Sequence, residues 1–253
     1  MAAGGAGGGA ADPRQTLLEQ VSCAIAWPMR RFAIPHLPAG SRGYLFVVLL
    51  ATLATPFFDS DLTPGFARLF GSMPPLAVML IVLALALWAC FQIASSGFAA
   101  DRTGASLTQA VGLFAAGFAL SLLPIGIDLL SPFPSDINIA LPSALIFYSV
   151  IALVAETLFH LVPLAVILLV LRSAPHPALV LLPVAAIEPL FQFLLTPGPL
   201  VQLVLMTTHV TLFNLVQLAA FYRFGVVAML VIRLGFYLGW HILWGWFRLE
   251  GMP

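Results

Sequence analysis

The apolar positions of this chain gather into seven long blocks rather than alternating with polar ones. The blocks run over about 43–58, 74–96, 106–130, 140–171, 177–195, 199–221 and 224–247. A membrane-crossing helix needs about 20 mostly apolar residues, whereas a barrel strand needs about 9–11 with alternating character. The pattern therefore predicts an all-α fold: a polytopic transmembrane helical bundle of about seven spans. The first block is short and the fourth long, so the fourth is expected to tilt or project. Ser173-Ala174-Pro175 and Thr196-Pro197-Gly198-Pro199 are tight breaks of helix-ending residues, and the spans they join should pack antiparallel.

The chain divides into three stretches on this pattern. Residues 1–42 precede the first span, 43–138 hold three transmembrane helices, and 139–253 form a four-helix candidate core. The Gly/Ala tract over 1–13 cannot pack a core and is expected to be disordered. From Gln15 to Phe32, apolar Leu17, Leu18, Val21, Ile25 and Trp27 stand against Glu19, Arg30 and Arg31. That stretch is too short and too charged to span, and it has no basic leader or cleavage site. It reads as an interfacial helix or a flexible lead-in.

Composition agrees with a membrane protein. Of 253 residues, 61% are hydrophobic and 8% charged, against about 25% charged in soluble domains. No room is left for a sizeable soluble domain. The formal net charge is zero, and no basic block points to nucleic acid, so the expected partner at this level is membrane lipid. All ten basic residues are arginine, which excludes Schiff-base and Walker-type lysine chemistry. Cys23 and Cys90 follow no CxxC pattern and read as small apolar fillers.

Arginine also assigns sidedness. Arg14, Arg30, Arg31 and Arg42 precede the first span, and Arg102, Arg172 and Arg223 fall in loops on that same side. The opposite loops hold Asp59, Asp61, Asp128 and Asp136, with Arg68 as their basic residue. The positive-inside rule then puts the N-terminus in the cytoplasm and the C-terminus outside, with the bacterial inner membrane as the expected location.

Polar residues inside the spans are the candidate chemistry. A charged group at the bilayer centre costs roughly 2.5–3.5 kcal/mol on insertion scales and is functional by default. Glu156 and His160 are four residues apart in the fourth span and share a helix face. Glu188, His209 and His241 follow, one on each of the last three spans. Counted from the outer helix ends at about 1.5 Å per residue, Glu156, Glu188, His209 and His241 share a layer roughly 10–20 Å deep. His160, Asn214 and Arg233 lie one or two turns further in. Pro189 interrupts hydrogen bonding in the turn before it and can leave a carbonyl free near Glu188. Arg233 must pair, and Glu156 or Glu188 are the acids within reach. His209 and Asn214 also suit ordinary interhelical bonding, as do Gln192 and Gln217.

Glutamates and histidines at one depth suit three tasks. A glutamate can activate water while histidine and amide groups hold an oxyanion, which is peptide hydrolysis. The same side chains can ligate a divalent metal such as zinc or iron, though no HExxH helix is present. They can also relay protons in a transporter. Hydrolysis needs no cofactor, and its partner would be a membrane-anchored peptide or protein.

The last four spans resemble the CPBP group of intramembrane endopeptidases, the CAAX-protease and bacteriocin-processing (Abi) proteins. That family carries EExxxR, FxxxH and HxxxN on successive membrane helices. Ala155-Glu156-Thr157-Leu158-Phe159-His160 keeps the second glutamate, with alanine for the first and histidine for arginine. Val184 and Glu188 stand at the ends of the second motif, and His241 and Gly245 at those of the last. The separations are 32 residues from Glu156 to Glu188 and 53 from Glu188 to His241, close to the family's. The resemblance implies that Glu156 is the general base and that His241 orients water or holds the oxyanion. It implies a supporting place for His160 and a substitute acid/base in Glu188. The alternative is a non-enzymatic protein (a small transporter, a structural subunit or a pseudoenzyme) whose buried charges pair with one another.

Overall fold

In hydrocarbon no water can bond a free backbone group, so each long apolar block must satisfy its peptides within its own helix. The computed structural model describes residues 36–58, 62–98, 104–134, 137–171, 176–196 and 198–251. Outside them lie the Gly/Ala tract, the proposed helix over 15–32 and Cys23, together with Arg14, Arg30, Arg31, Arg102, Arg172, Asp59, Asp61 and Asp136. Among the described residues, seven helices are long and apolar enough to cross a membrane. The protein is an all-α, multi-pass membrane protein.

Helix α1 (Ala39–Ala54) runs on through a 3₁₀ turn, Thr55–Phe57. A short helix, α2 (Leu62–Phe70), follows where the hydropathy pattern reads as a loop. It buries Leu62 and Phe66, four residues apart on one face. Helix α3 (Pro75–Ser96) starts on a proline, whose missing N–H costs nothing at a helix start, and ends at Gly97 with φ +71°. The third span is two helices, α4 (Leu107–Leu120) and α5 (Leu122–Leu130). A reciprocal Ser106–Gln109 capping box starts α4, and the chain breaks at Ser121, just before Pro124.

The last four spans are α6 (Ser143–Leu171), α7 (Pro177–Leu195), α8 (Leu200–Phe224) and α9 (Val226–Glu250). Two of them are not α-helical throughout. Helix α6 loosens into a π-turn over Glu156–Leu161, and α9 does so over Leu238–Trp244. Pro163 supplies a cause in α6. Its ring crowds the carbonyl four residues back and it has no N–H to offer, and the widened turn lets Val162 N–H bond Thr157 instead.

From Leu37 to Pro253 the helices form one unit, with α6 and α9 the most buried spans. Helix α9 packs on α1, α4, α6 and α8. Its contact with α4 is backbone to backbone: a Cβ on Gly117 would collide with the Ile232 carbonyl, and one on Gly235 with that of Phe114. Close approach through small residues is how membrane helices gain packing where apolar association gives none. Packing thus runs across the sequence boundary near residue 138, since α4 meets α9 and α3 meets α6. The outward faces carry Leu53, Leu87, Leu169, Leu194 and Leu205, which suit lipid rather than water.

Candidate functional site

The buried polar residues of α6, α7, α8 and α9 meet around one guanidinium. Arg233 is fully enclosed, and each of its five N–H groups has an acceptor. Its Nε donates to Glu156 Oε1 at 2.6 Å. Nη1 and Nη2 take Glu188 Oε1 and Oε2 at 3.0 and 2.9 Å, a forked pair. The remaining protons go to Tyr237 Oη at 3.4 Å and Gln217 Oε1 at 3.1 Å. The Phe213 ring lies 5.3 Å from the guanidinium carbon, within cation–π range.

Gln217 completes the set. Its Oε1 accepts from Arg233, while its Nε2 donates to Glu156 Oε1 and to the Met229 carbonyl. The other Glu156 oxygen, Oε2, faces His160 Nδ1 at 2.7 Å. Glu188 Oε1 also accepts from Gln192 Nε2 at 3.4 Å. Every oxygen of both carboxylates thus has a protein partner. Beneath the π-turn, Thr157 Oγ1 bonds Tyr44 Oη at 2.8 Å, and Tyr44 donates to the Leu153 carbonyl, so α1 buttresses the turn.

The structure brings Glu156, His160, Glu188 and Arg233 together, and leaves His209 and His241 apart from them. His241 stacks on Tyr148 with ring centres 4.2 Å apart and meets the edge of Tyr237 at 5.0 Å. His209 lies against Phe236 at 5.5 Å, and neither of its ring nitrogens has a protein partner. A shared layer does not by itself make one cluster: these two histidines pack on aromatic rings, while Arg233 and His160 join the glutamates.

Asn214 does something different again. Pro189 has no N–H for the carbonyl of Ala185, four residues back, and Asn214 Nδ2 donates to that carbonyl at 3.3 Å. This is the freed carbonyl that the Glu188-Pro189 sequence predicts. Gln217 enters the centre of the network, although its sequence context suggested only a helix fastener. Tyr237 was legible as the residue one turn beyond Arg233 on the same face. Tyr44, on a distant helix, carried no such signal.

Metal chemistry finds no cluster here: among the described residues, no three His, Cys, Asp or Glu side chains group as a metal site would need. A second polar cluster ties the Trp244 end of the bundle. Asp128 accepts from Phe133 N–H and Trp244 Nε1, both at 2.7 Å, and pairs with Arg248 at 3.0 Å. Arg248 also donates to Asn138 Oδ1 and the Phe133 carbonyl. Comparison with protein-family models, with curated proteins and with solved structures returns no match for this chain.

Proposed function

We propose that this chain is a non-enzymatic membrane protein whose buried charges form a clasp that holds four helices in register at mid-membrane. One observation carries the reading: all four oxygens of Glu156 and Glu188 are already engaged, three of them by Arg233. A general base needs an oxygen free to accept a proton from water. Here Glu156 is fully buried and its oxygens serve arginine, glutamine and histidine. A buried ion pair fixes one arrangement of its helices more than it adds net stability, and specificity of packing is what a membrane scaffold needs. The partners of such a scaffold are lipid and other membrane helices. Arginine distribution supports a cytoplasmic N-terminus, and the bacterial inner membrane is the location proposed with it.

A second reading is intramembrane peptide hydrolysis of the CPBP type, with Glu156 as base. The observation in its favour is the 2.7 Å acid–histidine pair set in a π-turn, a distortion frequent at functional sites. It requires Arg233 to release Glu156 so that water can enter. The deciding experiment reconstitutes the chain in liposomes with a library of membrane-anchored peptides. The clasp reading expects the same absence of products from wild type and from Glu156→Gln. Cleavage by wild type that Glu156→Gln abolishes would remove it in favour of hydrolysis.

A further inference from the structure

The geometry points to a proton-binding site at His160 Nε2, one that completes the charge balance of the clasp. Glu156 and Glu188 bring two negative charges and Arg233 one positive. Among the described residues, the surrounding helices bring few other titratable groups towards the π-turn: Tyr44 from α1, Cys90 from α3, and Tyr237 from α9 beside Arg233, with His241 beyond it. Helix α8 contributes the neutral Gln217, and His209 further along. Tyr44 donates its own proton to the Leu153 carbonyl, and the other phenol and the thiol are uncharged when protonated. The sum is one unbalanced negative charge, fully buried in a low-dielectric interior where such a charge is expensive.

His160 is the base in direct contact with that charge, and its ring is entirely enclosed. Nδ1 is engaged by Glu156 Oε2 at 2.7 Å, while Nε2 is buried with no protein partner. A neutral ring that donates through Nδ1–H leaves Nε2 as a bare lone pair and the network at minus one. Taking up one proton from solvent forms a single N–H bond at Nε2 and brings the network to zero. The proton between Nδ1 and Oε2 can then sit on either atom without changing that count. Nothing is oxidised and no further reactant is needed. Only the assembled helices present this site, so the proton is bound by the assembled network.

The inference rests on the clasp reading, because it takes the closed network as the resting state. Nitrogen-15 NMR of the full chain in lipid bilayers, with all histidines labelled, tests it at neutral pH. The His160 signals are assigned by their loss in His160→Gln or, if that variant does not fold, by elimination using single Gln variants at His36, His176, His209 and His241. The expected result is a protonated Nε2 on His160 in the wild type, whichever of Nδ1 and Oε2 holds the shared proton. Glu188→Gln removes one negative charge, so His160 should then revert to a bare Nε2. A bare Nε2 in the wild type overturns the proposal, as does a protonated Nε2 that persists in a folded Glu188→Gln protein. Peptide cleavage that depends on Glu156 would instead overturn the clasp reading and leave the nitrogen count standing, so the two failures are separable.

Discussion

Arg233 Nε donates to Glu156 Oε1 at 2.6 Å, while the other edge of the same guanidinium holds both oxygens of Glu188. One cation therefore bridges α6 and α7 from its place on α9. Removing it leaves two buried acids without the guanidinium that joins them. Breaking a buried pair from one side costs about 3–5 kcal/mol. Arg233→Gln should accordingly unfold at much lower denaturant or temperature than wild type. Arg233→Lys should fall between them, since an ammonium has no planar fork to serve both acids. Unfolding titrations in detergent micelles check the order; a wild-type-like Arg233→Gln would mean that the clasp does not hold the helices.

Glu188 and Arg233 should not be independent, because the guanidinium holds both oxygens of that carboxylate. Glu188→Gln and Arg233→Gln form a double-mutant cycle in which residues of one network couple by about 0.5–3 kcal/mol. The double variant is expected to be more stable than the sum of the single losses, since neither residue then faces an unpaired buried charge. Additive losses within about 0.3–0.5 kcal/mol would place the two residues in separate environments.

The seven spans were legible because bilayer thickness and backbone hydrogen bonding leave a long apolar block little choice. That constraint acts on length alone, so it says nothing of which faces meet. It found Glu156, His160, Glu188 and Arg233 as residues too polar for their surroundings, and it required a partner for Arg233. It could not separate one acid from two as that partner, because span length carries no information on which helix faces meet. The π-turn at Glu156 had one trace in sequence, Pro163, and the break at Ser121 had Pro124. Helix α2 was missed because nine residues that contain Arg68 fall below any span threshold, although Leu62 and Phe66 already had helical spacing.

The α4–α9 contact should be the least tolerant apolar surface in the molecule. Valine at Gly117 or Gly235 would drive a side chain into the facing carbonyl of Ile232 or Phe114. Overpacking costs about 1–3 kcal/mol, and more where backbone must move. Both variants should lose folded yield and thermal stability. Gly112→Ala and Gly126→Ala, with nothing within 4 Å of an added Cβ, should remain within about 0.5 kcal/mol of wild type. Equal behaviour of the two pairs would contradict the close approach of these helices.

Asn214 should matter only because of Pro189. Its Nδ2 donates to the Ala185 carbonyl that the proline leaves without a donor. Asn214→Leu should cost about 1 kcal/mol, the usual scale of a polar contact between membrane helices. In a Pro189→Ala background the residue at 189 regains its N–H and can satisfy Ala185 within α7. The cost of Asn214→Leu should then shrink towards zero. An undiminished cost would show that Asn214 acts through another contact.

His241 separates the scaffold from the hydrolase most economically. Its ring stacks on Tyr148 at 4.2 Å, and its Nδ1 is buried without a protein partner. Phenylalanine keeps the stacked shape and removes that orphan nitrogen. If the residue is a packing element, His241→Phe should stay within about 0.5 kcal/mol of wild type or gain stability, because a buried unsatisfied polar atom is costly. If it holds an oxyanion as the CPBP resemblance implies, the same variant would keep its fold and lose cleavage. Thermal unfolding and peptide cleavage measured on one preparation read both outcomes. Preserved stability with no cleavage by either protein supports the scaffold, and a selective loss of cleavage defeats it.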